Sequence, residues 1–167
     1  FNIDYFKVAM ARAGWHLLVR RGHDSPLSSV LIAKRQSESV PRSESWDFTG
    51  AALRSQVGLR GPNGVVADGR EGFLMYGPYI PRNSGMHTAT IELVSDTKPS
   101  GLVAVDVVSH RGEHIHGKLT TRLSRSTRFL TLPFELSSDV VDLEVRVSVE
   151  ADTQIALKRL VLLPETD

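Results

Sequence analysis

"DLEVRVSVEA", residues 142–151, alternates without a break: Leu143, Val145, Val147 and Val149 fall on one side of an extended chain, and Glu144, Arg146, Ser148 and Glu150 on the other. Successive side chains of a strand point to opposite faces, so the stretch reads as a strand with one face on a core and one in water. The design recurs. "TATIEL", residues 88–93, sets Ala89, Ile91 and Leu93 against Thr88, Thr90 and Glu92, and "FLTLPFEL", residues 129–136, sets Leu130, Leu132, Phe134 and Leu136 on one side. "LVAVDVVS", residues 102–109, and "QIALKRLVLL", residues 154–163, are more apolar throughout, which suits central strands of two packed sheets. Turn signals at Pro62-Asn63-Gly64, Asn83-Ser84-Gly85, Pro99-Ser100-Gly101 and Arg111-Gly112 punctuate these runs. The expected fold is mainly β: an antiparallel β-sandwich of jelly-roll type over residues 46–167.

The grammar upstream differs. From Asp4 to Ala13, Tyr5, Phe6, Val8, Ala9 and Met10 mix with Lys7 and Arg12 at a spacing that predicts a short helix, ended by Gly14. "WHLLVRRG", residues 15–22, and "SSVLIAKR", residues 28–35, read as two strands around the turn His23-Asp24-Ser25-Pro26. "QSESVPRSES", residues 36–45, is polar and broken by proline, and reads as a linker. Residues 1–35 are therefore expected to form a helix plus hairpin ahead of the sandwich.

Composition bounds the function. With 41% hydrophobic and 23% charged residues in 167, the chain can bury one sizeable core, and its apolar runs fall far short of a membrane span. Cysteine is absent, so there is no disulfide framework and no thiolate zinc site, and a cytoplasmic location is expected. A formal net charge of +1 argues against wholesale electrostatic binding to nucleic acid. The chain opens at Phe1 with no signal-peptide pattern, which points to a piece of something longer.

"GFLMYGPYIP", residues 72–81, is the stiffest stretch. Pro78 and Pro81 fix φ and remove donors, which confines it to an edge, a bulge or a turn, and alternation would send one of the pairs Phe73/Met75 and Leu74/Tyr76 into the core. Trp46, Tyr76 and Tyr79 are candidate rings for stacking on the C–H face of a pyranose, although core or corner aromatics whose polar tips reach a backbone group are the more ordinary reading of such rings. Arg82, Asn83, His110 and Arg111 sit at turns, where they could supply orienting hydrogen bonds, and Arg111 would suit an acidic sugar. Residues 110–128 carry five cations, Arg111, Lys118, Arg122, Arg125 and Arg128, against one carboxylate, Glu113. His110, His114 and His116 could approach one another, but histidines in a surface hairpin need no metal, and none is expected. No nucleophile elbow, zincin helix or phosphate loop is present, and Glu92, Asp106, Glu135 and Glu144 fall on polar strand faces where solubility is their default role. The chain is read as non-catalytic and without a cofactor.

Two resemblances extend this reading. Residues 1–35, with Gly14-Trp15 opening the first strand, resemble the last helix and closing strand pair of class I S-adenosylmethionine-dependent methyltransferases. That resemblance implies a methyltransferase parent but no methyl transfer here, because the glycines of "GLRGPNG", residues 58–64, lack the cofactor-loop spacing. "GFLMYGPYIPRNSGMHTATIEL", residues 72–93, and "IALKRLVLLP", residues 155–164, resemble a carbohydrate-binding-module type jelly roll attached to bacterial glycan-assembly enzymes, with His87 where those modules usually carry an aromatic. This resemblance implies non-catalytic recognition of a polysaccharide or oligosaccharide, a bacterial surface polysaccharide or its precursor, by an accessory module. The alternative is a sandwich that docks the parent enzyme or a second copy without touching sugar.

Overall fold

The computed structural model describes residues 15–21, 29–35 and 43–164. The chain divides into two units, Phe1–Pro41 and Arg42–Asp167. In the first, β1 (Trp15–Arg21) and β2 (Ser29–Arg35) pair antiparallel, Trp15 opposite Arg35 and Arg21 opposite Ser29. The expected helix over Asp4–Ala13 and most of the expected linker lie outside the described residues.

The second unit is built of β3 (Glu44–Asp47), β4 (Gly58–Gly61), β5 (Gly64–Ala67), β6 (Gly72–Arg82), β7 (Gly85–Leu93), β8 (Gly101–Ser109), β9 (His114–Leu123), β10 (Phe129–Leu136), β11 (Val140–Val149) and β12 (Ala156–Pro164). They form two antiparallel sheets, one ordered β10-β7-β12-β5-β4 with β3 also on β12, the other ordered β6-β11-β8-β9. Glu44 and Ser45, at the end of the expected linker, pair with Leu162 and Val161 of β12. No helix is found among the described residues of this unit.

Alternation decides what goes inside. Leu143, Val145, Val147 and Val149 of β11 are buried, as are Ala89, Ile91 and Leu93 of β7 and Leu130, Leu132, Phe134 and Leu136 of β10, and side chains of both sheets merge in one apolar cluster. The layering is that of a sandwich, driven by removal of these faces from water. The most apolar runs, β8 and β12, lie inside their sheets with a neighbour on each flank. His87 is buried too: its ring stacks on Phe134 at 5.4 Å between centroids, and its Nε2 donates to the Asn83 carbonyl at 2.9 Å. It fills an aromatic's place in the core while its polar tip stays satisfied.

The stretch 72–82 forms β6, an edge strand laddered to β11 on one side. Its other side is hydrogen-bonded near its start, by the backbone of Arg54, Gln56 and Val57 to Phe73 and Tyr76, so the prolines fall where no continuous ladder needs their missing donors. Simple alternation fails here. The ladder runs Ser148 opposite Phe73, then Val147 opposite Met75, leaving Leu74 as an extra residue. Leu74 and Met75 are consequently both buried, where the sequence pattern placed them on opposite faces.

Candidate functional site

A second irregularity builds the site. Glu144 lies opposite Pro78 and Leu143 opposite Ile80, so Tyr79 is an unpaired extra residue, held at φ 61°. A bulge bends the strand and re-aims a side chain, and a tyrosine in the left-handed region persists only where its surroundings over-determine it. What fixes Tyr79 is Glu144: the phenol donates to the carboxylate oxygen Oε1 at 2.9 Å. Tyr79 remains 43% exposed, while Glu144 is only 7% exposed. Burial first, and then the hydrogen bond and charge of Glu144, push the Tyr79 phenol up to about 12.

One row further along β11, Arg146 holds Asp106 of β8 through two parallel hydrogen bonds, Nε to Oδ1 at 2.8 Å and Nη2 to Oδ2 at 2.7 Å. This planar grip leaves the guanidinium immobile, and the bond to Asp106 raises its proton affinity further. The Phe73 ring lies 5.3 Å below the same guanidinium and meets Tyr76 edge-on at 6.3 Å. Stacking of cation on ring adds to the rigidity.

The loop between β8 and β9 closes the third side. His110 and Arg111 stand at φ 52° and 58°, and their backbone N–H groups both donate to the Asp142 carboxylate, at 3.0 Å each. Those bonds, the one from His110 foremost, hold the Asp142 carboxyl below the usual range. Gly112 turns the loop at φ 90°, a conformation that favours glycine, and a Cβ there would press within 3.0 Å of Nη1 of Arg146. Gln56, Phe73, Tyr76, Tyr79, Asp142, Glu144, Arg146 and the exposed Arg111 together line an open groove of about 400 Å³.

Of the residues singled out in the sequence, Tyr76, Tyr79 and Arg111 meet in this groove. Trp46 does not: it sits on β3 opposite Leu160 and packs half-buried against the core. Arg82, at the end of β6, is engaged with Glu44 at 3.0 Å, and the Asn83 carbonyl serves His87. His110 borders the groove through its backbone, but its ring faces elsewhere, with Nδ1 2.9 Å from the Ser109 hydroxyl and the ring 4.5 Å from that of His114. Nε2 of His116 shares the same hydroxyl at 2.8 Å. A serine between two imidazoles has the look of an activated nucleophile, yet Ser109 is wholly buried and no substrate could reach its oxygen. No group of three metal-competent side chains occurs among the described residues. Phe73, Asp142, Glu144 and Arg146 were not picked out as site residues, because alternation reveals the face of a residue but not its neighbours across the sheet. Glu144 and Asp106 are held partners, not solubilising charges, and Glu92 likewise accepts from Lys158 at 2.7 Å and Arg159 at 3.1 Å.

Comparison with known proteins adds little. No family model matches the chain, and no curated protein does. Among solved structures it is similar to the carbohydrate binding module of lichenase 5A from Cellvibrio mixtus, in complex with cellotriose, at 9% identity over 92% of this chain and 89% of that one, with a TM-score of 0.38. It is also similar to VP2 of the infectious bursal disease virus subviral particle, at 11% identity over 90% of this chain and 38% of that one, with a TM-score of 0.35. Scores this low leave fold and ligand to be argued from the chain's own geometry.

Proposed function

We propose that the second unit is a non-catalytic saccharide-binding module whose ligand lies in the groove beside β6. The observation that carries this reading is Tyr79, an aromatic residue left 43% exposed on a left-handed bulge and tied to a buried carboxylate. Strained backbone that presents a ring costs stability and is best explained by what the ring does. Around it stand groups of the kind a sugar needs: apolar ring faces for its C–H surface, and donors and acceptors for its hydroxyls, carried by β6, β11 and the loop between β8 and β9. The narrower reading, an accessory module of a glycan-assembly enzyme that recognises a bacterial surface polysaccharide or its precursor, rests on sequence resemblance alone.

The test is a calorimetric titration of a glycan panel against the full chain and its Tyr79→Ala variant, with thermal melts as the folding control. Loss of a stacking ring should weaken binding by roughly 1–3 kcal/mol. Unchanged affinity in a folded variant removes the groove from consideration, and a panel with no binder favours a docking sandwich.

A further inference from the structure

The groove is one border of a larger face. Residues opposite one another in an antiparallel pair point the same way, and the ladders place Tyr76, Arg146, Asp106 and Lys118 in a single row across all four strands of the sheet. The adjoining rows carry Ser148, Ala104 and Thr120, and then Leu102 opposite Arg122. The outer face thus has rings along β6, small side chains across its middle, and Lys118 and Arg122 along β9. From β6 to β9 it spans three interstrand gaps, about 14 Å.

The charges on this face are unequally committed. Asp106 gives both oxygens to Arg146, Asp142 gives both to the loop backbone, and buried Glu144 accepts from Tyr79. No described residue forms a hydrogen bond or ion pair with the side chain of Arg111, Lys118 or Arg122, and all three residues are exposed. The three carboxylates along the inner part of this face thus have partners within the protein, while the side chains of three cations have none; the exposed carboxylates Glu113, in the loop between β8 and β9, and Glu150, just past β11, stand at its margins.

We infer that the ligand is an acidic oligosaccharide that crosses the outer face from the rings at β6 to Lys118 and Arg122 on β9. The inference rests on the saccharide reading of the groove and adds the ligand's charge and path. Lysine and arginine side chains recognise carboxylate or sulfate groups on sugars, and the small residues at Ala104, Ser148 and Thr120 leave the way between them unobstructed.

The test uses the full chain and hexamers of galacturonate, mannuronate and hyaluronan, each beside its carboxyl-reduced form, with neutral cellohexaose and a thymidine oligonucleotide as further arms. At least one acidic hexamer should bind, its reduced form roughly tenfold more weakly. The double variant Lys118→Gln/Arg122→Gln should shrink that preference by roughly 3- to 10-fold at low salt and by less at high salt. Melts confirm folding, and Tyr79→Ala should weaken the same hexamer. Neutral or reduced hexamers bound as well as acidic ones would overturn the inference and leave the saccharide reading standing. An unaltered preference in the double variant would overturn the path to β9. Acidic binding indifferent to Tyr79→Ala would reduce it to adsorption on a charged strip, and stronger binding of the oligonucleotide would make the face a nucleic-acid surface. If no hexamer of either kind binds, both readings fall.

Discussion

A carboxylate almost removed from water and joined to one phenol is an unusual pair for a protein surface, and each partner constrains the other. Burial, and then Glu144, raise the pKa of the Tyr79 phenol, and Tyr79 supplies the hydrogen bond a buried carboxylate requires. Because the phenol's pKa in the fold, about 12, lies above its ordinary 10, its contribution to stability is complete below pH 10 and is lost as the pH rises through 12. In Glu144→Gln burial, the largest cause of the shift, remains, but the charge is gone. The phenol should then ionise below 12 without reaching 10. Alkaline absorbance titration of the two proteins, with Tyr79→Phe subtracted to isolate this ring, checks the expectation; identical curves would show that the Glu144 charge contributes nothing to the shift. Tyr79→Phe should itself cost about 1–3 kcal/mol, since it strands the carboxylate.

At the scale of elements, the hairpin of β8 and β9 carries a pH response distinct from that of the acids. Burial, then the charges of His114 and His110, lower the pKa of His116, with Asp142 opposing. The unfolded chain therefore takes up this proton first: stability is whole above the ordinary value of about 6.5 and is lost as the pH falls through the lower folded value. The melting temperature should decline from pH 7 to 5, and less steeply in His116→Gln. Asp68, Glu92 and Asp142, whose carboxyls are all held below their usual range, act at more acid pH and leave this window clear. Parallel declines in the two proteins would assign the effect elsewhere. The faces of β7, β10 and β11 were legible in the sequence because period-two burial is a local property, and the edge position of β6 because proline lacks a donor. The extra residues Leu74 and Tyr79 were not, since a bulge is defined by register against a strand some 70 residues away. The site inherits that blindness: Tyr79 was visible as a ring, whereas its partner Glu144, 65 positions on, read as a solvated charge.

At the scale of the molecule, the sandwich core draws on both sheets of the second unit, and that unit should fold when expressed alone as residues 42–167, with cooperative unfolding and a β-type circular dichroism spectrum. A molten or aggregated product would mean that the first unit contributes to its core. Its beginning matters, because β3 starts at Glu44, two residues before the boundary that polarity alone placed at Trp46. Starting at Trp46 removes the pairings of Glu44 and Ser45 with β12. It also removes the carboxylate bound at 3.0 Å by Arg82, whose side chain is only 13% exposed and whose Nη2 already lacks a hydrogen-bond partner. A nearly buried guanidinium left without its counter-ion is costly, whereas the same pair at an open surface would contribute little. Residues 46–167 should accordingly be less stable than 42–167 by about 1–3 kcal/mol, read as a lower urea midpoint at unchanged slope. The full 167-residue chain carrying Glu44→Gln separates the two contributions, since it keeps the strand and removes only the charge. If it melts like the parent chain while 46–167 is weakened, the ladder on β12 stabilises the edge; if 42–167 and 46–167 unfold at the same urea concentration, neither the ladder nor the Arg82 pair does.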